Sequence, residues 1–255
     1  EERAVARHCC DEQSAEWGMP WAPGARGSAE YSVRTIGPPL FGAVKAYSRS
    51  MGVTVNDILI AAFFASVRRE IPHQEDRDYP VLTSTDLRRI HPGVRSPAVA
   101  NLSVAFEVWL PAGMPGRPHD LVLAAHRVMD EKKRLRVGIG SAIRLEEMFS
   151  SGFDQVREHL LEAKRRSRIE GYPKNPFISN IGILPHSCVD FGHPQTMAAY
   201  IVPPVEYPPG FGIAASTFDS TLTLSCGFCD GPIAGRTVER VMTSMEEFLS
   251  TLTRE

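Results

Sequence analysis

Eight histidines stand in the chain, and an unperturbed imidazole is the side chain best placed to move protons near neutral pH. One of them, His186, is followed four residues later by Asp190, then by Phe191 and Gly192. A base steadied by a carboxylate is the chemistry such a pair offers. The spacing is weak on its own. With eight histidines, a chance His-x-x-x-Asp is expected about 0.4 times. Residues 186–192 therefore read first as a structural turn, with His186 kept as a candidate base.

Other groups have a chemical and a structural reading. Asp86 and Arg88 can form an ion pair that shapes a strand end, since the planar guanidinium matches a carboxylate through two hydrogen bonds. Asn101 and Asn180 are short amides suited to tying down backbone at strand ends. Lys164, Arg165, Arg166 and Arg168 could attract phosphates or an acidic protein surface, although cations at a helix end need no further role. Cys226 and Cys229 form a C-x-x-C. A redox pair wants a helix N-terminus to lower the thiol pKa, and here the run alternates and ends in Asp230, Gly231 and Pro232, as a strand end and turn would. A zinc site with Cys9 and Cys10 is disfavoured because adjacent cysteines are unusual ligand spacing. His73, His91, His119, His126 and His159 lack ligand-like spacing, and His8 lies in a loop-like stretch. There is no G-x-S-x-G, Gly-rich phosphate loop or H-E-x-x-H, so hydrolase, nucleotide-binding and zinc-protease readings lack support.

Elements must position these residues. Residues 1–29 mix charge, Pro and Gly and read as a crossover or linker. Tyr31, Val33 and Thr35 alternate as in a strand. A helix is expected over 40–50, stopped by Gly52. Thr54 and Asp57 resemble a capping box with Asp in place of Glu. The helix they open, through Arg69, is apolar on most sides and should be buried. Strands are expected over 80–85 and 102–110, and helices over 121–134, over 141–149 with Ser141 as cap, and over 153–169. Strands follow over 177–184, 197–202, 211–217 and 221–228, with a turn at Phe218, Asp219 and Ser220. Val238, Val241, Met242, Met245, Phe248, Leu249 and Leu252 mark a closing amphipathic helix. The pattern predicts an α/β fold, with a mixed, partly antiparallel sheet and helices packed mainly on one face.

The chain has 255 residues and a net charge of −2, with 43% apolar and 23% charged residues. That suits a globular protein and excludes a disordered chain, a collagen or a coiled coil. Near-neutral charge argues against nucleic acid as the main partner. No apolar run approaches the ~20 residues that span a bilayer. Five cysteines, an odd number, fit no disulfide scaffold, so a reducing cytoplasm is expected. The chain opens at Glu1 with no initiator Met, which suggests a processed or truncated polypeptide.

Several runs, in order, resemble the second half of the condensation-domain and acyl-CoA-dependent acyltransferase superfamily. They are Gly52-Val-Thr-Val-Asn-Asp-Ile-Leu-Ile-Ala-Ala62, Thr85-Asp86-Leu87-Arg88-Arg89, Ala100-Asn101-Leu102-Ser103, Asn175-Pro-Phe-Ile-Ser179-Asn180-Ile-Gly182 and Val189-Asp190-Phe191-Gly192. Tyr207-Pro-Pro-Gly-Phe211 and the hairpin Phe218-Asp219-Ser220-Thr-Leu-Thr-Leu-Ser225 continue the likeness, which covers roughly residues 30–252. It implies one half of a chloramphenicol-acetyltransferase-like two-lobed fold, with 30–255 as the C-terminal lobe. The family's H-H-x-x-x-D-G signature belongs to the other lobe. The stretch from His186 lacks the first His and has an extra Phe before Gly192.

The implied function is that of a C-terminal lobe of an acyltransferase. It moves an acyl group from a CoA or carrier-protein phosphopantetheine thioester to an alcohol or amine. This lobe supplies the cleft wall and donor channel, with Asp86, Arg88, Asn101, Ser179, Asn180, Asp190 and Gly192 as channel or motif residues. Alone it should be inactive and should expose an apolar docking face, which self-association can hide. The N-terminal lobe and an acyl carrier protein are the implied partners, with no metal and no tightly bound cofactor. The alternative is a non-catalytic docking module. A third reading makes the chain self-sufficient through His186.

Overall fold

A computed structural model describes residues 17–74, 77–89, 102–111, 117–169 and 173–254. Six strands form one sheet: β1 (Ser28–Ile36), β2 (Tyr79–Asp86), β3 (Ser103–Leu110), β4 (Phe177–Ile183), β5 (Gly212–Phe218) and β6 (Thr221–Asp230). Their order is β1-β6-β5-β4-β2-β3. β4 runs parallel to both β5 and β2, and the remaining pairs are antiparallel. The sheet is thus mixed, as the interleaving of helix and strand patterns predicts. The two positive φ values at Asp219 and Ser220 make the β5–β6 link a two-residue turn that matches strand twist.

The helices are α1 (Pro38–Met51), α2 (Val55–Glu70), α3 (Pro118–Arg134), α4 (Ile139–Ser150), α5 (Phe153–Ile169) and α6 (Gly235–Leu252). α2 packs between α3 and α6. Its residues Ile58 to Phe64 are at most 1% exposed, as expected for a helix apolar all round. On α6, Val238, Val241, Met242, Met245, Leu249 and Leu252 are all fully buried. In β1, Ser32 bonds Met242 and Glu239 while Arg34 reaches Glu246 of α6. The alternate residues Tyr31 and Val33 are exposed. Helices therefore cover one face of the sheet. No single helix among the described residues is long and apolar enough to cross a membrane.

Two expectations need correction. First, residues 197–202 form no strand. Their alternation has no ladder to join, because β5 and β6 already pair with neighbours. Instead the Ile201 N–H donates to Ser216 Oγ and its carbonyl accepts from Ser225 Oγ, which holds the segment against the uncovered face. Second, α4 opens at Gly138 rather than being capped by Ser141. Gly138 has φ +100°, and a Cβ there would lie 2.4 Å from Val104 Cγ2. Residues 17–27 form no helix or strand, and their start packs into the core. Trp17 is 3% exposed, stacks on Tyr79 and donates from Nε1 to the Pro80 carbonyl at 2.6 Å.

Candidate functional site

The parallel strands β2 and β4 end side by side, and a cleft of about 810 Å³ opens beyond their carboxyl ends. Crevices at such strand ends are where open α/β sheets bind ligands. Asp86 and Arg88 line it at the end of β2, and Ser179 and Asn180 line it at the end of β4. Four residues singled out by sequence, 91 to 94 positions apart across the two strands, thus share one wall. Asn101 lies outside the described residues.

Each of these has a local structural partner. Asp86 Oδ1 accepts from the Arg88 backbone N–H at 3.0 Å and from Arg88 Nη1 at 3.3 Å. Both side chains are partly exposed, so the pair shapes the turn after β2 more than it stabilises the fold. Ser84 and Ser179 hydroxyls meet at 3.2 Å across β2 and β4. Asn180 Oδ1 accepts from the Gly182 N–H at 3.1 Å, where the β4–β5 register shifts. Gly182 has φ +88°, which suits this turn. The short amide ties down backbone at a strand end.

The floor is set by the start of α2. Thr54 Oγ1 accepts from the Asp57 N–H, and Asp57 Oδ2 accepts from the Thr54 N–H at 2.9 Å, a complete capping box. Thr54 and Asn56 line the cleft, so the partial positive charge of a helix N-terminus faces it. Asp57 is fully buried, and its Oδ2 also accepts from His126 Nδ1 at 2.9 Å. A carboxylate only accepts, so the proton sits on Nδ1. This pair clamps α3 onto the start of α2.

Across from these, the last turn of α3 brings Lys132, Lys133 and, just beyond it, Arg136 to the rim. With Arg88 they set four cations against the one carboxylate of Asp86 in the cleft wall. The sequence marks this helix end as charged, but nothing in its spacing shows which elements it faces. Among the described residues, no histidine or cysteine lines the cleft.

His186 and Asp190 sit elsewhere. His186 Nε2 bonds Asp219 Oδ1 at 2.7 Å, and its ring lies 4.7 Å from that of Phe218. Both partners are more than half exposed. Asp190 does not pair with His186. It accepts from the Gly192 N–H at 2.9 Å, and Gly192 has φ +84°. The His-x-x-x-Asp run is thus a turn pinned to the β5–β6 hairpin. Of the C-x-x-C, Cys226 lies opposite Ser32, on the helix face, and Cys229 opposite Ala29. Neighbouring residues of a strand alternate faces, so positions three apart point to opposite sides. Both are buried free thiols. No group of ligands among the described residues could hold a metal ion.

Of the cluster from Lys164 to Arg168, Arg165 pairs with Glu162 one turn earlier. The side chains of Lys164, Arg166 and Arg168 lie outside the described set.

No family model matches the chain, and no curated protein matches it. Solved structures do. The TRI3 trichothecene 15-O-acetyltransferase from Fusarium sporotrichioides aligns at TM-score 0.64 and 15% identity, over 98% of this chain and 50% of that one. The epimerization domain from the third module of tyrocidine synthetase B aligns at TM-score 0.62 and 11% identity, over 98% and 58%. The PapA2 acyl transferase aligns at TM-score 0.60 and 15% identity, over 100% and 55%. The chain spans about half the length of these structures. It carries the fold shared by condensation domains and these acyltransferases.

Proposed function

We propose that the chain is the C-terminal lobe of a thioester-dependent acyltransferase, with the cleft beyond β2 and β4 as its wall of the donor channel. The observation that carries this is the cationic rim, Lys132, Lys133 and Arg136, set beside the N-terminus of α2. Cations and helix N-termini together favour phosphate, and a CoA or carrier-protein phosphopantetheine arm is a thioester carrying phosphate. In the reaction, the acceptor hydroxyl or amine attacks the thioester carbonyl, the C–S bond breaks, and the thiol leaves with a proton. A base on a second lobe takes the acceptor's proton. The cleft wall holds the donor and steadies its phosphates.

The second lobe also accounts for the uncovered surface. Ile183, Phe191 and Met197 are 79%, 84% and 86% exposed, and they lie along one stretch that ends against the bare face of the sheet. A docking partner would bury them.

The test is CoA titrated into isotope-labelled chain and followed by NMR. Shifts should cluster at Thr54, Asn56, Ser179 and Lys132, and the Lys132→Gln/Lys133→Gln/Arg136→Gln variant should bind at least tenfold more weakly. No saturable binding, or binding indifferent to that variant, would sink the donor-channel reading. The alternative is a docking module without catalysis. Absence of thioester-dependent transfer by the two lobes together, with the second lobe lacking the H-H-x-x-x-D-G histidines, would select it.

A further inference from the structure

A second concavity lies at the other end of α2. Between the last turns of α2, the first turn of α3 and the C-terminal half of α6 is a groove of about 560 Å³. Asn56, in the first cleft, and Arg68, in this groove, are separated by about 18 Å along α2 at 1.5 Å per residue. The two sites are therefore distinct.

The groove's accessible apolar lining is Leu121 and Phe248, while Phe64 is 1% exposed and lies beneath Arg68. Among the described residues, its rim carries three arginines, Arg68, Arg69 and Arg117, and one carboxylate, Glu247. The arginines are held in place. Arg68 donates from Nε to His73 Nε2 at 3.3 Å, and its guanidinium lies 5.7 Å from the centre of the Phe64 ring. His73 Nδ1 is 2.8 Å from the Ile71 carbonyl. A carbonyl only accepts, so the proton is on Nδ1, and His73 is a neutral ring whose Nε2 lone pair faces Arg68. Trp17 and Tyr79 contact this ring edge-on. Arg69 donates to the buried Ser244 Oγ at 2.9 Å and lies 3.6 Å from Glu247.

Two of these arginines also sit in the last turn of α2, where cations are favoured. That placement does not call for a neutral histidine clamp beside the half-buried apolar side chains of Leu121 and Phe248. Facing them, α3 begins at Arg117 and Pro118 with no side-chain cap, so the positive end of a 17-residue helix meets the same groove. The volume falls within the range of small-molecule sites, which are mostly apolar with a few placed polar groups.

We infer that this groove binds an amphiphilic carboxylate: an aliphatic or aromatic body on Leu121 and Phe248, with its carboxylate held by Arg68 and Arg69. Planar guanidinium forks match that head group. The inference is independent of the donor-channel reading.

The test is calorimetric titration of the chain with decanoate, below its micelle concentration, beside decanol. Decanoate should fill one saturable site, and decanol should bind at least tenfold more weakly. Arg68→Gln/Arg69→Gln should weaken decanoate at least tenfold, and Phe248→Asp should abolish binding. Circular dichroism monitors folding. The arginine variant changes rim side chains and keeps the test open if Phe248→Asp disturbs α6. No saturable binding, equal affinity for decanol, or an affinity untouched by the arginine variant would overturn the proposal.

Discussion

Burial separates the described cysteines into two chemical kinds. Cys226 sits in the core, and burial pushes its thiol up to about 12, with Glu206 and Glu239 adding to the effect. The thiolate is the nucleophile, so at pH 8 Cys226 should be inert. Iodoacetamide labelling with peptide mapping should modify the exposed Cys188 in the native chain, and Cys226 and Cys229 only after unfolding. The same residue scale shows what a sequence can reveal. The Asn180–Gly182 and Asp190–Gly192 turns were legible because a short polar side chain reaches its own backbone two residues on. The pairs His126–Asp57 and His186–Asp219 were not, because the fold alone brings such distant positions together. His186 also illustrates the opposite error: its spacing to Asp190 invites a pairing that local turn geometry rules out.

At the scale of elements, caps and close approaches decide where helices start. Thr54→Ala should cost about 1 kcal/mol, the usual worth of an N-cap side chain, read as a lowered urea midpoint. Gly138→Ala should cost more, about 2–4 kcal/mol, because it combines a positive φ with a methyl forced into Val104. The capping box was readable because its residues lie three apart. The start of α4 was not. Serine is the better cap by preference, and only the proximity of β3 makes glycine necessary. Helices also meet through charge. Glu70 at the end of α2 bonds Arg240 of α6 at 2.6 and 2.9 Å. That hydrogen bond holds the Glu70 carboxyl below its ordinary value of 4.5. A depressed carboxyl contributes stability above its ordinary value and loses it as pH falls through the folded value. Arg240→Gln should therefore lower the melting temperature at pH 7, and the gap from wild type should close as pH falls below the ordinary carboxylate range. An unchanged gap at low pH would mean that Arg240 acts through packing.

At the scale of the whole molecule, helices cover one face of the sheet and an irregular stretch crosses the other. α2, α3 and α6 bury a continuous core, and that much follows from the periodicity of the sequence. The face bearing Tyr31 and Val33 is crossed by 201–206 and, at Phe218, by His186, while Tyr31 and Val33 themselves stay exposed. The alternation over 197–202 is that of a strand, yet no strand edge among the described residues receives it. The backbone of Ile201 bonds to the side chains of Ser216 and Ser225 instead of to a strand, which is why the periodicity and the structure part company here. Ile183, Phe191 and Met197 lie on the stretch leading to that crossing and share its exposure. Apolar side chains this exposed and this close in sequence raise the free energy of the isolated chain and favour association. Phe191→Ser/Met197→Ser should reduce both the fluorescence of a bound naphthalene-sulfonate dye and concentration-dependent self-association in sedimentation, and leave the circular dichroism spectrum unchanged. If dye binding and sedimentation stayed the same, the surface would be closed by contacts within the chain, and the case for a second lobe docking there would lose its main support.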